Sequence, residues 1–206
     1  MKLSQAVAVL GVTFTTGVLL QAPSSLAVTF SQTEVNQSKL VAVAIPRKSG
    51  SFTLLVLEQL SSQKRCWRES GSNPTRVDPL LLNFNFTGIC GRSTDSNGYS
   101  IRMQGKDVGL DYRLSFQKRK DDLILLGIPY RSGSGKTVEV GRTHGLKSGF
   151  LKIILNPGWR FTKRVYNGKK LGHIYFNRDT AAPIAQVISS EIKPKVAKPS
   201  SAPPKA

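Results

Sequence analysis

The sequence predicts an all-β domain, a single antiparallel sandwich or barrel-like fold, and three observations carry that prediction. Between about residue 29 and residue 178, short apolar or alternating runs recur about every 8–12 residues, bounded by Gly, Pro, Asn and Ser. Few windows in that span show helical spacing. Near its end, Asn167-Gly168 separates two alternating runs, and this dipeptide marks a two-residue hairpin turn because both residues tolerate positive φ.

The elements follow in order. Leu40–Ile45 and Phe52–Leu60 are β-branched and aliphatic runs flanking the turn Pro46-Arg47-Lys48-Ser49-Gly50. Tyr99, Ile101 and Met103 alternate with Ser100 and Arg102, and Tyr112, Leu114 and Phe116 alternate with Arg113, Ser115 and Gln117. The run Leu123–Ile128 follows the charged turn Lys118-Arg119-Lys120-Asp121-Asp122. Counting outward from a two-residue turn pairs Tyr166 with Lys169, Arg164 with Leu171, Thr162 with His173 and Arg160 with Tyr175. The opposite, core-facing set is Trp159 with Phe176, Phe161 with Ile174, and Val165 with the stem of Lys170. A one-residue slip would turn Trp159 and Phe161 outward, so burial enforces the parity.

The two ends differ from this pattern. Residues 1–27 have the parts of a secretory signal: Lys2, an apolar stretch from Ala6 to Leu20, and Ser25-Leu26-Ala27 for a peptidase. That stretch is shorter than the roughly 20 residues needed to cross a bilayer, so cleavage and a soluble exported product are expected. Residues 28–178 form the β-rich domain. Residues 179–192 place Pro183, Ile184, Val187, Ile188 and Ile192 at helical spacing, which predicts a short helix. Residues 193–206, almost wholly Lys, Pro, Ala and Ser, bury too little to offset ordering entropy and read as a disordered basic tail.

Composition limits the function. The 206 residues carry 30 Lys+Arg against 12 Asp+Glu, a formal charge of +18, with 39% hydrophobic residues. This excludes wholesale disorder, a multi-span membrane protein and a disulfide-rich miniprotein. Cys66 and Cys90 are the only two cysteines, and in an exported chain they most simply form one disulfide. Two buried thiols and a metal pair are the competing readings; the second has no CxxC and only two distant histidines to draw on.

The residues Cys66-Trp67, Pro74, Val77-Asp78-Pro79-Leu80-Leu81 and Phe84-Asn85-Phe86-Thr87-Gly88-Ile89-Cys90, followed by Asp95-Ser96-Asn97-Gly98-Tyr99-Ser100-Ile101-Arg102, form a distinctive stretch. This stretch resembles a family of exported cyanobacterial proteins defined only as a domain of unknown function. The resemblance extends from about Phe30 to Phe176 and includes Gly158-Trp159-Arg160-Phe161. It implies a cell-envelope or extracellular setting and supplies no catalytic residues.

Motifs that suggest enzymes are weak. Gly133-Ser134-Gly135-Lys136-Thr137 ends like a phosphate-binding loop, but the required earlier glycine is Tyr130, so a basic turn is expected. Asp95-Ser96-Asn97-Gly98 has glycine at the fourth position and Lys106 where a calcium loop needs glutamate; it reads as a tight turn with Asp95 as acceptor. No GxSxG or HExxH occurs, and His144 and His173 are the only imidazoles. Carboxylates for glycoside hydrolysis exist in Glu58, Glu69, Asp78, Asp95, Asp107 and Asp111, but any chain of this size could supply a pair. No cofactor or metal is expected.

Charge distribution is the clearest functional signal. From Arg131 to Arg178 there are eleven Lys/Arg and one acid, Glu139, and the tail adds four lysines. Surface solubility is the bland explanation. Cations interleaved with aromatic rings instead suit an anionic polymer, whose acidic groups arginine engages bidentately. The expected binding face is Arg160, Arg164, Tyr166, Lys169, His173 and Tyr175. The expected function is a non-enzymatic exported envelope protein that binds an acidic polysaccharide, peptidoglycan or anionic lipid head groups. Alternatives are a hydrolase acting on the same polymers and a DNA-binding surface protein, and the oligomeric state is left open.

Overall fold

The computed structural model describes residues 30–179. Its strands are β1 (Ser31–Glu34), β2 (Leu40–Pro46), β3 (Phe52–Gln59), β4 (Arg68–Ser70), β5 (Arg76–Asp78), β6 (Cys90–Ser93), β7 (Tyr99–Met103), β8 (Lys106–Asp107), β9 (Tyr112–Arg119), β10 (Asp122–Pro129), β11 (Val138–Arg142), β12 (Leu151–Leu155), β13 (Arg160–Tyr166) and β14 (Lys169–Arg178). Two short 3-10 turns, Gln37–Lys39 and Leu80–Asn83, are the helical elements among the described residues. The expected signal segment, C-terminal helix and basic tail lie outside these residues, apart from Asp179 at the start of the expected helix.

The strands form two layers. One sheet runs β1-β13-β14-β7-β8; the other runs β6-β3-β2-β12-β11-β10-β9, with β5 pairing β12 and β4 pairing β5. The second sheet curls until Phe52 of β3 meets Phe116 of β9, ring centroids 6.1 Å apart, giving a half-barrel that the five-stranded sheet covers. The main core lies between the layers. Ile101, Phe161, Ile174 and Phe176 face Leu40, Ala42, Leu54, Val56, Leu123, Leu125 and Ile153.

β2 and β3 are buried on both faces. Their alternate residues Val41, Val43, Leu55 and Leu57 pack in a second cluster with Cys66, Val77, Leu81 and Cys90. Two-sided burial explains why these strands read as unbroken apolar runs while most others alternate. The Cys66–Cys90 disulfide, Cα atoms 5.7 Å apart, pins the covering segment to the sheet.

One pairing departs from an antiparallel fold. β14 and β7 are parallel, with Tyr175 beside Ser100 and Asn177 beside Arg102. The chain between them forms β8 to β13, four of whose strands, β9 to β12, lie in the half-barrel, and this provides the long crossover a parallel pair needs.

The hairpin β13–β14 starts as the Asn-Gly turn requires, with Asn167 at φ 47° and Gly168 at φ 73°, Tyr166 beside Lys169 and Val165 beside Lys170. Beyond that the predicted register fails. A bulge sets Leu171, Gly172 and His173 against Arg164 alone, so Lys163 pairs with Ile174, Thr162 with Tyr175, and Phe161 with Phe176. Gly172, inside the strand without a side chain to pack, is where such a bulge is expected. Because the slip is two residues, every side chain keeps its predicted face.

Candidate functional site

The outer face of the five-stranded sheet is a polar layer. Strand alternation brings there Arg160, Thr162 and Arg164 from β13, His173, Tyr175 and Asn177 from β14, Ser100 and Arg102 from β7, and Asp107 from β8. Despite facing away from the core, Ser100, Arg102, Thr162, His173, Tyr175 and Asn177 are buried. Phe30 and the turn at Gly105 hold Arg102, whose Nη1 donates to the Phe30 carbonyl at 3.2 Å and Nη2 to the Gly105 carbonyl at 2.6 Å, while Thr162 donates to Gln32 and Asn177 to Asp179.

Asp107 is the hub. It accepts from the Tyr175 hydroxyl at 2.7 Å, from Arg164 Nη2 at 2.7 Å and from the Gly109 N–H at 3.0 Å. Burial alone would raise its pKa, but these donors outweigh it and hold the carboxyl below its usual range. Tyr175 is pushed up to about 12 by burial and by its bond to Asp107. Arg164 Nε donates to the Tyr175 oxygen at 2.6 Å, and the guanidinium lies 4.6 Å from the Phe30 ring centroid.

His173 is fixed at both nitrogens. Nδ1 lies 2.8 Å from the Asn97 carbonyl, which can only accept, so Nδ1 carries the proton. Nε2 then presents its lone pair to the Ser100 hydroxyl, 2.8 Å away. Burial is the main reason the imidazole pKa is lowered, and Arg164 and Lys163 add to the effect.

A groove of about 850 Å³ opens beside this network. Arg102, Lys106 and Arg164 line it with Asp107, Ser96, Asn97 and Ser100, while Phe30, Tyr130 and Leu110 supply apolar surface. Asp107 is the one carboxylate in that lining, and Leu110 stands at the rim, 95% exposed. No group of three or more His, Cys, Asp or Glu suited to a metal occurs among the described residues.

The structure brings together Arg164, His173 and Tyr175 among the residues expected from the sequence. Tyr166 approaches the groove through its contact with Phe30, ring centroids 5.6 Å apart. Arg160 lies further along the same face, clamped by Glu34 at 2.7–3.0 Å and by Asp179. Lys169 is exposed at the hairpin turn. Sequence reasoning missed Ser100, Arg102, Lys106 and Phe30. The alternation of Ser100 and Arg102 placed them on one face, but only the parallel β7–β14 pairing sets that face beside His173 and Tyr175.

The cationic C-terminal third is partly neutralised from elsewhere in the chain. Arg142, Lys152, Arg160, Lys163 and Arg164 bond respectively to Asp122, Glu69, Glu34, Glu58 and Asp107, all from earlier segments. The sequence clustering therefore reflects, in part, strand pairing between a basic and an acidic portion. The Gly133–Lys136 segment is a turn followed by strand β11, where a phosphate-binding loop would need a helix. Asp95 accepts from the Asn97 N–H at 2.9 Å, the expected tight turn.

The lowered pKa values fix a pH dependence. His173 is lowered in the fold, so below about 6.5 the unfolded chain binds its proton first and stability declines. Asp107 and Asp122 are also lowered, so their contribution is complete above about 3.9 and is lost as pH falls through their folded values. Urea unfolding should show a falling midpoint between pH 7 and 5.5 and a steeper fall below about pH 4. His173→Gln should flatten the first decline and leave the second.

No curated protein and no solved structure matches the chain. Over residues 5–181, which take in every strand described above, the sequence matches DUF3747, a family of proteins of unknown function, and the chain belongs to that family.

Proposed function

We propose that this protein binds an anionic polysaccharide of the cell envelope, with the polymer lying in the groove beside Asp107. One observation carries the reading. The groove sets three cations, Arg102, Lys106 and Arg164, against a single carboxylate that is already engaged by Tyr175, Arg164 and Gly109. Its positive potential is therefore open to an acidic ligand. Phe30 and Tyr130 offer faces on which sugar rings pack, and Ser96, Asn97 and Ser100 offer hydrogen-bonding groups. A disulfide in the domain is in keeping with an oxidising, exported setting.

Retention of the purified full chain on a polygalacturonate matrix tests this reading. Binding should fall steeply between low and high salt, since exposed charges are screened within about 8 Å at physiological ionic strength. Lys106→Glu should weaken it about tenfold, on the order of 1.4 kcal/mol. Lys169→Glu combined with Lys170→Glu, at the hairpin turn, should change it by less than about threefold. Salt-insensitive retention, or a hairpin effect equal to that of Lys106→Glu, would contradict the groove.

A further inference from the structure

The Ser100–His173 contact has the form of an activated nucleophile. A serine hydroxyl attacks only when a neutral base accepts its proton, and that base needs a third group to hold its tautomer. Here Ser100 Oγ is 2.8 Å from Nε2, and the Asn97 carbonyl holds Nδ1–H at 2.8 Å in the place a carboxylate often takes. A hydrogen-bonded serine and histidine inside a core would be structural, but Ser100 lines the groove.

Ser100 is a buried, closely packed part of the groove wall. Gly109 lies across from Ser100, where an added Cβ would come within 2.8 Å of the serine Cβ and 3.1 Å of Oγ. Gly109 therefore packs directly beside the hydroxyl, and a side chain at that position would press on it. Arg102, two residues along the same strand face, lines the same groove and has an Nε–H without a hydrogen-bond partner among the described residues. With Lys106 it makes this wall cationic, which suits charge developing on a carbonyl oxygen.

We propose that Ser100 and His173 form a nucleophile–base pair in the groove that hydrolyses an O-acyl ester carried by the bound glycan. Ser100 Oγ forms a bond to the ester carbonyl carbon while its proton passes to His173 Nε2. The bond from that carbon to the sugar oxygen breaks, and His173 returns the proton to the departing sugar hydroxyl. Water then attacks the acyl-serine, giving a proton to His173. That proton restores the Ser100 hydroxyl as the carboxylic acid leaves. The substrate class rests on the groove reading above, whereas the nucleophile does not.

A fluorophosphonate probe, which carries neither sugar nor charge, tests the nucleophile in the full chain. Mass spectrometry should find the adduct on the peptide containing Ser100. His173→Gln should slow labelling at least 100-fold, with its melting curve confirming a folded protein. Wild-type protein should also release acetate from O-acetylated polygalacturonate, and Ser100→Ala should release none. An unlabelled Ser100 in the wild-type protein, labelling that His173→Gln leaves unchanged, or no acetate release would overturn the inference. Salt-sensitive retention on polygalacturonate with Ser100 unlabelled would overturn it while leaving the groove reading intact. Labelling of Ser100 without retention would support the nucleophile and remove the groove reading.

Discussion

Glu58→Ala should lower the unfolding free energy by about 3–5 kcal/mol, among the largest losses any single substitution in this protein produces. Lys163 lies on the inner face of β13 beside Ile174, with 6% of its side chain exposed against 15% for Glu58. Its ammonium donates to Glu58 Oε2 at 2.5 Å and to the Gly172 carbonyl at 3.1 Å, the latter placed by the bulge in β14. Glu58 sits on β3, so this pair ties the two sheets together across one end of the core. Removing the carboxylate leaves a buried cation with one neutral acceptor, and its desolvation goes uncompensated.

Glu58→Ala combined with Lys163→Met should recover most of that loss, because an apolar pair has no charge to desolvate. The exposed Arg68–Asp78 pair, 66% and 55% exposed, gives the contrast. Asp78→Ala should cost less than about 1 kcal/mol. Urea denaturation of the wild-type protein and the three variants checks the ordering. A loss below about 1 kcal/mol for Glu58→Ala would show that water reaches the ammonium.

Loss of the disulfide should have the second large effect. Cys66 and Cys90 are 24 positions apart, and closing a loop of this size is worth about 3 kcal/mol on the chain-entropy account. For a domain of this size that corresponds to a melting temperature lower by roughly 6–12 °C. The closed segment covers Val41, Val43, Leu55 and Leu57, and it is also held by Cys66 N–H to Gln59 Oε1 at 3.0 Å, by the pairing of β5 with β12 and by the Lys152–Glu69 ion pair. Cys66→Ser with Cys90→Ser, followed by calorimetry, measures the effect. A shift within about 2 °C would mean that apolar packing alone fixes the segment. The groove lies on the other sheet, so polygalacturonate retention of the variant should survive wherever it is folded.

The strands with strong local signals were legible: β2, β3, β7, β9, β10, β13 and β14 coincide with the apolar or alternating runs. β4, β5, β6 and β8 were not, because strands of two to four residues carry too little periodicity to stand out from turns. β11 and β12 were missed although Val138, Val140 and Ile153 are apolar, since glycine and lysine interrupt their patterns. The faces of the β13–β14 hairpin followed from parity, while the bulge depended on Gly172 and on the reach of Lys163 to a distant glutamate.

The candidate site was legible only in part, for a topological reason. Arg164, His173 and Tyr175 share a local hairpin face, which counting from Asn167-Gly168 reveals. Ser100 and Arg102 arrive by parallel pairing across more than 70 residues of sequence, and Asp107 by the short β7–β8 turn. Local sequence carries no trace of such a pairing. The basic segment 131–178 likewise gave no indication that Glu34, Glu58, Glu69, Asp107 and Asp122 would meet its cations.

Backbone amide chemical-shift mapping of the full chain during titration with trigalacturonate tests the groove most directly. The account predicts that the shifts gather at Phe30, Asn97, Ser100, Lys106 and Gly109, and that added salt reverses them. Shifts gathering instead at Tyr166–Lys170, or spread evenly around the surface, would contradict it.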